Sequence, residues 1–535
     1  MKNRIKQYLL AASMCVGLTA CSDFFEPIPG VQFGLDETFA SKQRTEEYLN
    51  NVYSYVREVT DAIHPNTYGG IFTEASLDGA NRWNKTYAEW TNGSFNSASA
   101  QASEYFSKYY QAIAKASTFI QNVDKCTEAA ASTRGKWKSE ARALRAYYYF
   151  ELLRLYGPIP LIGEDPIPLD ASLEELIKER NSVDECVNFI ATELQSAIDS
   201  GDLLQRAGKA NLGRMDVATC MALKAKLYLY WASPLFNGNT DQASVKNKDG
   251  KQLFPQTEDN SKWAQARDAY ERFMTFATGQ GYKLTEVYTN GKLDPYASCR
   301  AAGEFFTTTW EAVDELIFVK LRDLYDYTYW VCPKFTDFQD TDVTGGGGYY
   351  TTQETVDLFF TKDGLTIEED PSYDKFEGIP GANNFTSGRY YDPNNPSRLY
   401  FDADKSKVLK QWKDREPRFY VNITYSGSIW LNEGKYNEEM RTDFTNGANG
   451  TCGKSKASGD CPDSGYLIRR GAKASNNNGS KHFSPVLRLA DMYLGYAEAL
   501  CMCSDLDNAL TYLNKIRVRA GIPEYTFTAT AGKIT

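Results

Sequence analysis

Apolar residues recur at helical spacing through the first half of the chain and again near its C-terminal end. Between the two stretches the period is lost. Tyr109, Ile113, Ala116, Ile120 and Val123 follow one another at alternating steps of four and three, the stripe of an amphipathic helix. A second stripe carries Ala141, Leu144, Tyr148, Leu152 and Leu155 and is stopped by Gly157-Pro158. Ser182 with Glu185 three positions on is a capping box, and it opens a helix bearing Val183, Val187, Ile190 and Leu194. Trp263, Ala266 and Tyr270 mark another.

These helices resemble one another. Ala143-Leu144-Arg145-Ala146 with Tyr149 returns as Ala222-Leu223-Lys224-Ala225 with Tyr228, and Tyr496-Ala497-Glu498-Ala499-Leu500 is a third version. After a short loop at Ser504, a helix from Asp505 to Arg519, ended by Gly521 and Pro523, completes a pair. Alanine lets paired helices approach closely, and stacked pairs bury what one pair cannot. The pattern predicts a mostly α fold, a tetratricopeptide-like helical-repeat scaffold over about residues 40–280 and 486–522. Unrelated amphipathic helices with alanine at their contacts would give the same stripes.

Over about residues 283–485 the chain turns to Gly, Asn, Asp, Thr and Tyr, with turn signals at Asn383-Asn384, Asp392-Pro393 and Asn394-Asn395-Pro396. Leu316 to Lys320 and Phe419 to Tyr425 read as short strands. A loop-rich insertion this long is too large for a linker, so it is expected to pack on the helices and form a binding face.

The N-terminus sets the location. Lys2, Arg4 and Lys6 precede an apolar run from Tyr8 to Leu18 that is too short for a permanent span, and Leu18-Thr19-Ala20-Cys21 resembles a bacterial lipobox. Residues 1–20 are therefore expected to be a lipoprotein signal, with Cys21 as the lipidated first residue of a single domain over 21–535. An ordinary secretory signal containing a cysteine is the alternative. The chain carries 59 Lys+Arg against 69 Asp+Glu, and losing the three signal cations makes it more acidic still. That argues against nucleic acid or an anionic bilayer surface as the main partner.

The cysteines do not form a full disulfide framework. Cys126, Cys186, Cys220 and Cys501 fall on apolar helix faces and are expected to be buried thiols. Cys452 and Cys461 lie in a Gly/Ser/Asn loop, where a local disulfide is plausible in an exported protein. With only His64 and His482, and Cys501 and Cys503 inside a helical pattern, no metal site is expected, and no cofactor motif stands out.

Two segments carry the chemistry of sugar recognition, an aromatic face flanked by amide, guanidinium or carboxylate groups. Asp78-Gly79-Ala80-Asn81-Arg82-Trp83 sets Asn81 and Arg82 beside the Trp83 indole. Asp326-Tyr327-Thr328-Tyr329-Trp330 offers Tyr327, Tyr329 and Trp330 before Cys332-Pro333 and a glycine run, Gly345 to Gly348, that reads as a flexible lip. Core packing or loop anchoring is the plainer role for each of these rings, and Trp90 reads as structural. Other signals fail on spacing. Gly450 to Ser455 ends like a phosphate loop, but Ala448 stands where glycine is required. Asp337, Asp340 and Asp342 match no calcium loop, and neither histidine has a nucleophile pattern. Paired carboxylates for glycoside hydrolysis stay open, because their separation is a spatial property.

The motifs then fall into a recognisable order. Asp36-Glu37-Thr38-Phe39 comes first, and Glu140 to Ala146 runs into Leu155-Tyr156-Gly157-Pro158-Ile159-Pro160-Leu161. Asp414-Arg415-Glu416-Pro417-Arg418, Arg488-Leu489-Ala490-Asp491-Met492-Tyr493-Leu494 and Asn514 to Pro523 follow. This order resembles the SusD/RagB family of outer-membrane nutrient-binding lipoproteins over nearly the whole mature chain. The resemblance implies a SusD-like fold and a binding protein rather than an enzyme. It implies outward-facing attachment to the outer membrane, capture of an oligosaccharide or polysaccharide, and delivery to a SusC-like TonB-dependent transporter. It places ligand-facing residues in roughly the two aromatic segments. A surface-tethered glycoside hydrolase, a peptide-binding member of the same family and a helical scaffold without small-molecule ligand are the alternatives. The family usually continues past the Arg-x-x-Ala-Gly-x-Pro element, so its C-terminal segment is expected to be missing or short here.

Overall fold

The helical stripes fold and stack in chain order. In a computed structural model, the described residues are 34–57, 76, 79–81, 93–163, 165, 167, 171–303, 313–322, 329–335, 345–376, 378–431, 441–444, 452, 460–472, 482–528 and 533–534. Two short helices, α1 (Leu35–Ala40) and α2 (Lys42–Tyr53), precede two long ones, α3 (Ala100–Asn122) and α4 (Ala131–Tyr156). Then come α5 (Val183–Asp199), α6 (Val217–Ala232), α7 (Ser261–Gly279) and α8 (Pro295–Gly303). After a six-residue α9 (Pro417–Asn422), the pair α10 (Leu489–Met502) and α11 (Leu506–Ala520) closes the set. Each of α3 to α6 packs on the next, α7 and α6 both pack on α10, and α10 packs on α11. The helical stack therefore resumes across the loop-rich region. Among the described residues no helix is long and apolar enough to cross a membrane.

The predicted stripes are the buried faces. Tyr109, Ile113, Ala116, Ile120 and Val123 are buried, as are Ala141, Leu144, Tyr148 and Leu152, while Leu155 in the last turn of α4 is exposed. The capping box forms: Ser182 N–H donates to Glu185 Oε2 at 2.7 Å, and Glu185 N–H returns to Ser182 Oγ at 3.3 Å. The alanine motif gives close approach. At the α7–α10 contact, Gly495 leaves room for the Tyr270 hydroxyl, and Tyr270 stacks on Tyr496 at 6.1 Å between centroids and 11° between planes. Cys126, Cys186 and Cys220 are buried as expected, but Cys501 is exposed, since it falls off the face made by Met492, Tyr496, Ala499 and Leu500.

Charge is buried within this stack. Arg145 of α4 is fully buried, its Nε donates to Glu193 Oε2 of α5 at 2.8 Å, its NH2 also reaches that oxygen, and its NH1 donates to Ser117 Oγ of α3 at 3.1 Å. One guanidinium thus joins three helices. Removing one partner of such a pair leaves the other charged and dry, which is far more costly than losing both.

The loop-rich region has its own aromatic cores. One gathers Tyr296, Tyr400, Trp412, Phe419, Tyr420 and Tyr425, with Tyr400 stacked on Tyr420 at 3.9 Å and 10°. Phe419 to Tyr425 is not the continuous strand its composition suggests. Pro417 occupies the first turn of α9, where its fixed φ suits a helix and its missing N–H costs nothing, so the segment coils before extending at Ile423–Thr424. Leu316 to Lys320 is a strand as expected, within Leu316–Arg322, and it pairs antiparallel with His482–Arg488. The region's first long strand and its last lie side by side.

Glu315, just before that first strand, is the junction. Arg519 of α11 donates through NH1 to both its carboxylate oxygens at 2.9 and 2.8 Å, Thr285 N–H donates at 2.7 Å, and Arg488 NH1 stands at 3.5 Å. Leu489 N–H, at the start of α10, donates to the Glu315 carbonyl at 2.9 Å. Burial alone would raise this carboxyl, but Arg519, Arg488 and the Thr285 N–H outweigh it and hold the group below its ordinary value.

Two outcomes follow for stability. Glu193→Ala should lower unfolding free energy by about 3–5 kcal/mol in urea titrations, and the double variant Arg145→Met/Glu193→Leu should recover most of that loss. Glu315→Gln should destabilise the protein at neutral pH. Because the folded pKa is depressed, that deficit should shrink as pH falls below about 4.3, where the parent loses the same charge.

Candidate functional site

The two aromatic segments named from the sequence are joined through one small sheet. Its strands are β1 (Ala80–Asn81), β2 (Tyr349–Tyr350), β3 (Ile423–Thr424) and β4 (Leu467–Ile468), in the order β1-β2-β4-β3 and antiparallel throughout. Ala80 faces Tyr350 and Asn81 faces Tyr349. Tyr349 in turn follows directly on the glycine run, and that run is bonded to the turn carrying Tyr329 and Trp330.

Those bonds replace the expected flexible lip with a fixed collar. Gly345 N–H donates to Pro333 O at 2.9 Å, Gly346 to Tyr329 O at 2.8 Å, Gly347 to Cys332 O at 2.9 Å and Gly348 to Trp330 O at 3.1 Å. Carbonyls at the end of a tight turn lack partners within it, so four consecutive N–H groups satisfy what the turn leaves open. Glycine content alone reads as mobile, but each of these four N–H groups is engaged. The glycines are needed because the backbone runs against the rings.

Trp330 and Tyr329 form a right-angled corner, with centroids 4.8 Å apart and planes at 87°. Both are half-buried. Trp330 packs on a core of Val331, Cys332, Phe335, Tyr349, Trp430 and Leu431. Beneath it Arg469 lies over the Trp430 ring at 5.6 Å and donates through NH2 to Ile429 O at 2.8 Å. Beside the collar, Lys334 pairs with Asp460. The corner thus offers aromatic surface on a rigid base with charged groups at its edge.

Of the other residues predicted for the site, Asn81 is placed by its backbone in β1, and Arg82, Trp83, Tyr327 and the lipidation candidate Cys21 lie outside the described residues. Asp337, Asp340, Asp342 and Trp90 lie outside them as well. Among the described residues no group of three or more His, Cys, Asp or Glu could hold a metal ion. Sequence reading missed Trp430 and Arg469 as the base of the corner. Their only local signal is an isolated indole in a strand-like run and an arginine just after β4.

The proposed Cys452–Cys461 disulfide is not present. Both side chains are buried thiols, with Cys452 in the core under Trp330 alongside Cys332. Burial pushes the Cys332 thiol well up, and the neighbouring Cys452 adds to the shift.

Comparison with known proteins follows this architecture. A family profile described as the SusD family matches residues 315–534, and one described as starch-binding, associating with outer membrane, matches residues 32–229. A SusD-like protein of Bacteroides ovatus is 27% identical over 175 residues, which are 31% of this chain and 30% of that protein, so the match spans under a third of the relative's length. A SusD-like protein from Bacteroides fragilis superposes with a TM-score of 0.66 at 22% identity, covering 94% of this chain and 84% of the other. A SusD-like carbohydrate binding protein from the same species gives 0.60 at 18% identity over 92% and 82%. A laminarin binding SusD-like protein gives 0.50 at 17% identity over 92% and 87%. At these identities the superpositions establish the fold.

Thiol chemistry offers a direct check on the base of the corner. Under native alkylation followed by peptide mass mapping, Cys501 should label fast, while Cys332 and Cys452 should stay protected until denaturant is added and then label as thiols. Recovery of either as a disulfide in unreduced protein would contradict this core.

Proposed function

We propose that this chain, which belongs to the SusD/RagB family, is a cell-surface glycan-binding lipoprotein that captures oligosaccharides and passes them to a SusC-like TonB-dependent transporter. The observation that carries the reading is the aromatic corner of Tyr329 and Trp330, tied through β2 to the Asn81 segment. Sugars present flat C–H faces beside hydroxyls, and a half-buried indole set against a perpendicular phenol offers two such faces a complementary surface. Asn81, Arg82 and Trp83 would supply the flanking amide, fork and second platform, with Tyr327 extending the first.

A preformed platform supports binding. A platform held in place before the ligand arrives loses less conformational entropy on association. Family membership supports the same role, together with outer-membrane association. The lipobox-like Leu18 to Cys21 supports lipid anchoring, which would tether the protein beside a transporter. No cofactor is needed for this task.

Calorimetry against a panel containing starch and laminarin oligosaccharides, with peptides as a control arm, tests the reading. The intact protein should bind at least one glycan, and Trp330→Ala should weaken it on the order of tenfold or more, about 1.4 kcal/mol. Binding to peptides alone, or cleavage of the glycan on long incubation, would overturn it.

A further inference from the structure

The collar goes beyond satisfying hydrogen bonds, because its glycines are shaped around the platform. At Gly346 a Cβ would overlap the six-membered ring of Trp330 and stand 2.9 Å from Tyr329 Cε1. At Gly345 it would overlap the carbonyl oxygens of Tyr329 and Cys332 and lie 2.5 Å from Cys332 Cβ. Gly347 has φ +55°, and a Cβ there would meet Asp460 O at 3.0 Å and Lys334 N at 3.2 Å. Real Cβ atoms essentially never approach within 3.0 Å, so Gly345 and Gly346 must carry hydrogen, and of the three it is Gly346 whose missing Cβ leaves room for the indole; at Gly347 the contacts are tight and the positive φ itself favours glycine.

The arrangement has a second consequence. A half-buried aromatic on an exposed loop ordinarily samples several rotamers. Here the Gly346 backbone lies against one side of the Trp330 ring, Tyr329 stands edge-on at 87°, and the core under Val331 and Cys332 closes the base. The chain then runs without a break from Gly348 into Tyr349–Tyr350 and so into register with Ala80–Asn81. The collar therefore fixes both the orientation of the corner and its offset from the first ligand segment.

We infer that Gly345 to Gly348 is a positioning element that holds Trp330 and Tyr329 as a preformed corner, and that Gly346 above all determines which saccharide shape the site accepts. The inference rests on the reading of Trp330 as a ligand platform. Gly346 touches no ligand in this account and acts through Trp330. A methyl at 346 would turn or lift the indole, changing the angle that selects a glycan linkage while leaving the distant helical stack intact.

The test uses the full chain and a double-variant cycle read by calorimetry on the glycan panel, with thermal melting as the check on folding. Gly346→Ala should lose at least tenfold in affinity for the preferred glycan and change the ranking of linkages. Gly163→Ala, where a Cβ meets nothing within 4 Å, should bind as the parent does. Phenylalanine has no Cε3 or Cζ3 atoms for the new methyl to strike, so Gly346→Ala placed on Trp330→Phe should cost far less than it does in the parent, only the approach to Tyr329 Cε1 remaining. Hydrogen exchange on the parent protein without ligand provides a readout independent of any variant: the four collar amides should exchange slowly.

Parent-like affinity and ranking in Gly346→Ala, alongside loss of binding in Trp330→Ala, would overturn the positioning role and leave the platform standing. Unchanged affinity in Trp330→Ala would overturn both. An equal loss from Gly346→Ala in the Trp330→Phe background, or fast exchange at the collar amides, would also overturn the inference.

Discussion

A single buried carboxylate holds the two halves of this protein in register. Glu315 sits where the loop-rich region enters its first long strand, and it meets Arg519 at the end of the last helix, Arg488 at the end of the returning strand and the Thr285 N–H. A charge this deeply placed is tolerable only when every lone pair is engaged by strong donors. Satisfying it therefore fixes the last helix pair, the start of the first long strand and the re-entry of the chain into the helical stack together. Because the strands at Leu316–Arg322 and His482–Arg488 are hydrogen-bonded neighbours, the whole excursion between them begins and ends at one place.

The residues that make the family recognisable turn out to be this stitching. Arg415 donates through NH2 to Val356 O at 2.6 Å and Phe359 O at 2.7 Å, and Glu416 accepts from Phe360 N–H at 2.9 Å. Arg517 donates to Pro523 O at 2.7 Å and Gly364 O at 3.1 Å. Gly521 adopts φ +77° with its α-hydrogen side against Pro295 and Pro417, so the Arg-Glu-Pro-Arg motif and the Ala-Gly-Ile-Pro motif meet in space. Side chains that close buried backbone carbonyls have few substitutes, which is a physical reason for a motif. Rings that face a ligand are under no such constraint. Family motifs thus report the scaffold with more certainty than the site.

The site depends on a different economy. Half-buried aromatics gain from contact with a sugar face only if they do not have to be ordered first, and here the ordering is done by backbone rather than by side chains. The collar's four N–H groups hold the turn, and the absent Cβ atoms allow the close approach. The thiols of Cys332 and Cys452 serve beneath it as small apolar groups.

What the sequence determined by itself was whatever is written within a few turns of chain. Helix faces, the Ser182 capping box, the Gly157-Pro158 stop and the order of the motifs are local, since periodicity and capping involve residues at most a few positions apart. The tertiary structure decided the rest. Ala80–Asn81 pairs with Tyr349–Tyr350 across most of the first half of the protein, and two-residue strands carry no period by which to find them. The glycine run looked mobile because glycine is permissive alone, and it is fixed because Trp330, Cys332 and Pro333 lie against it. Proximity in sequence makes a Cys452–Cys461 bridge plausible, yet each is buried as a thiol, since packing and not spacing sets where a side chain points. Local pattern thus gave the helical frame and the aromatic candidates, and only long-range contact could bring two of those candidates to one rigid corner.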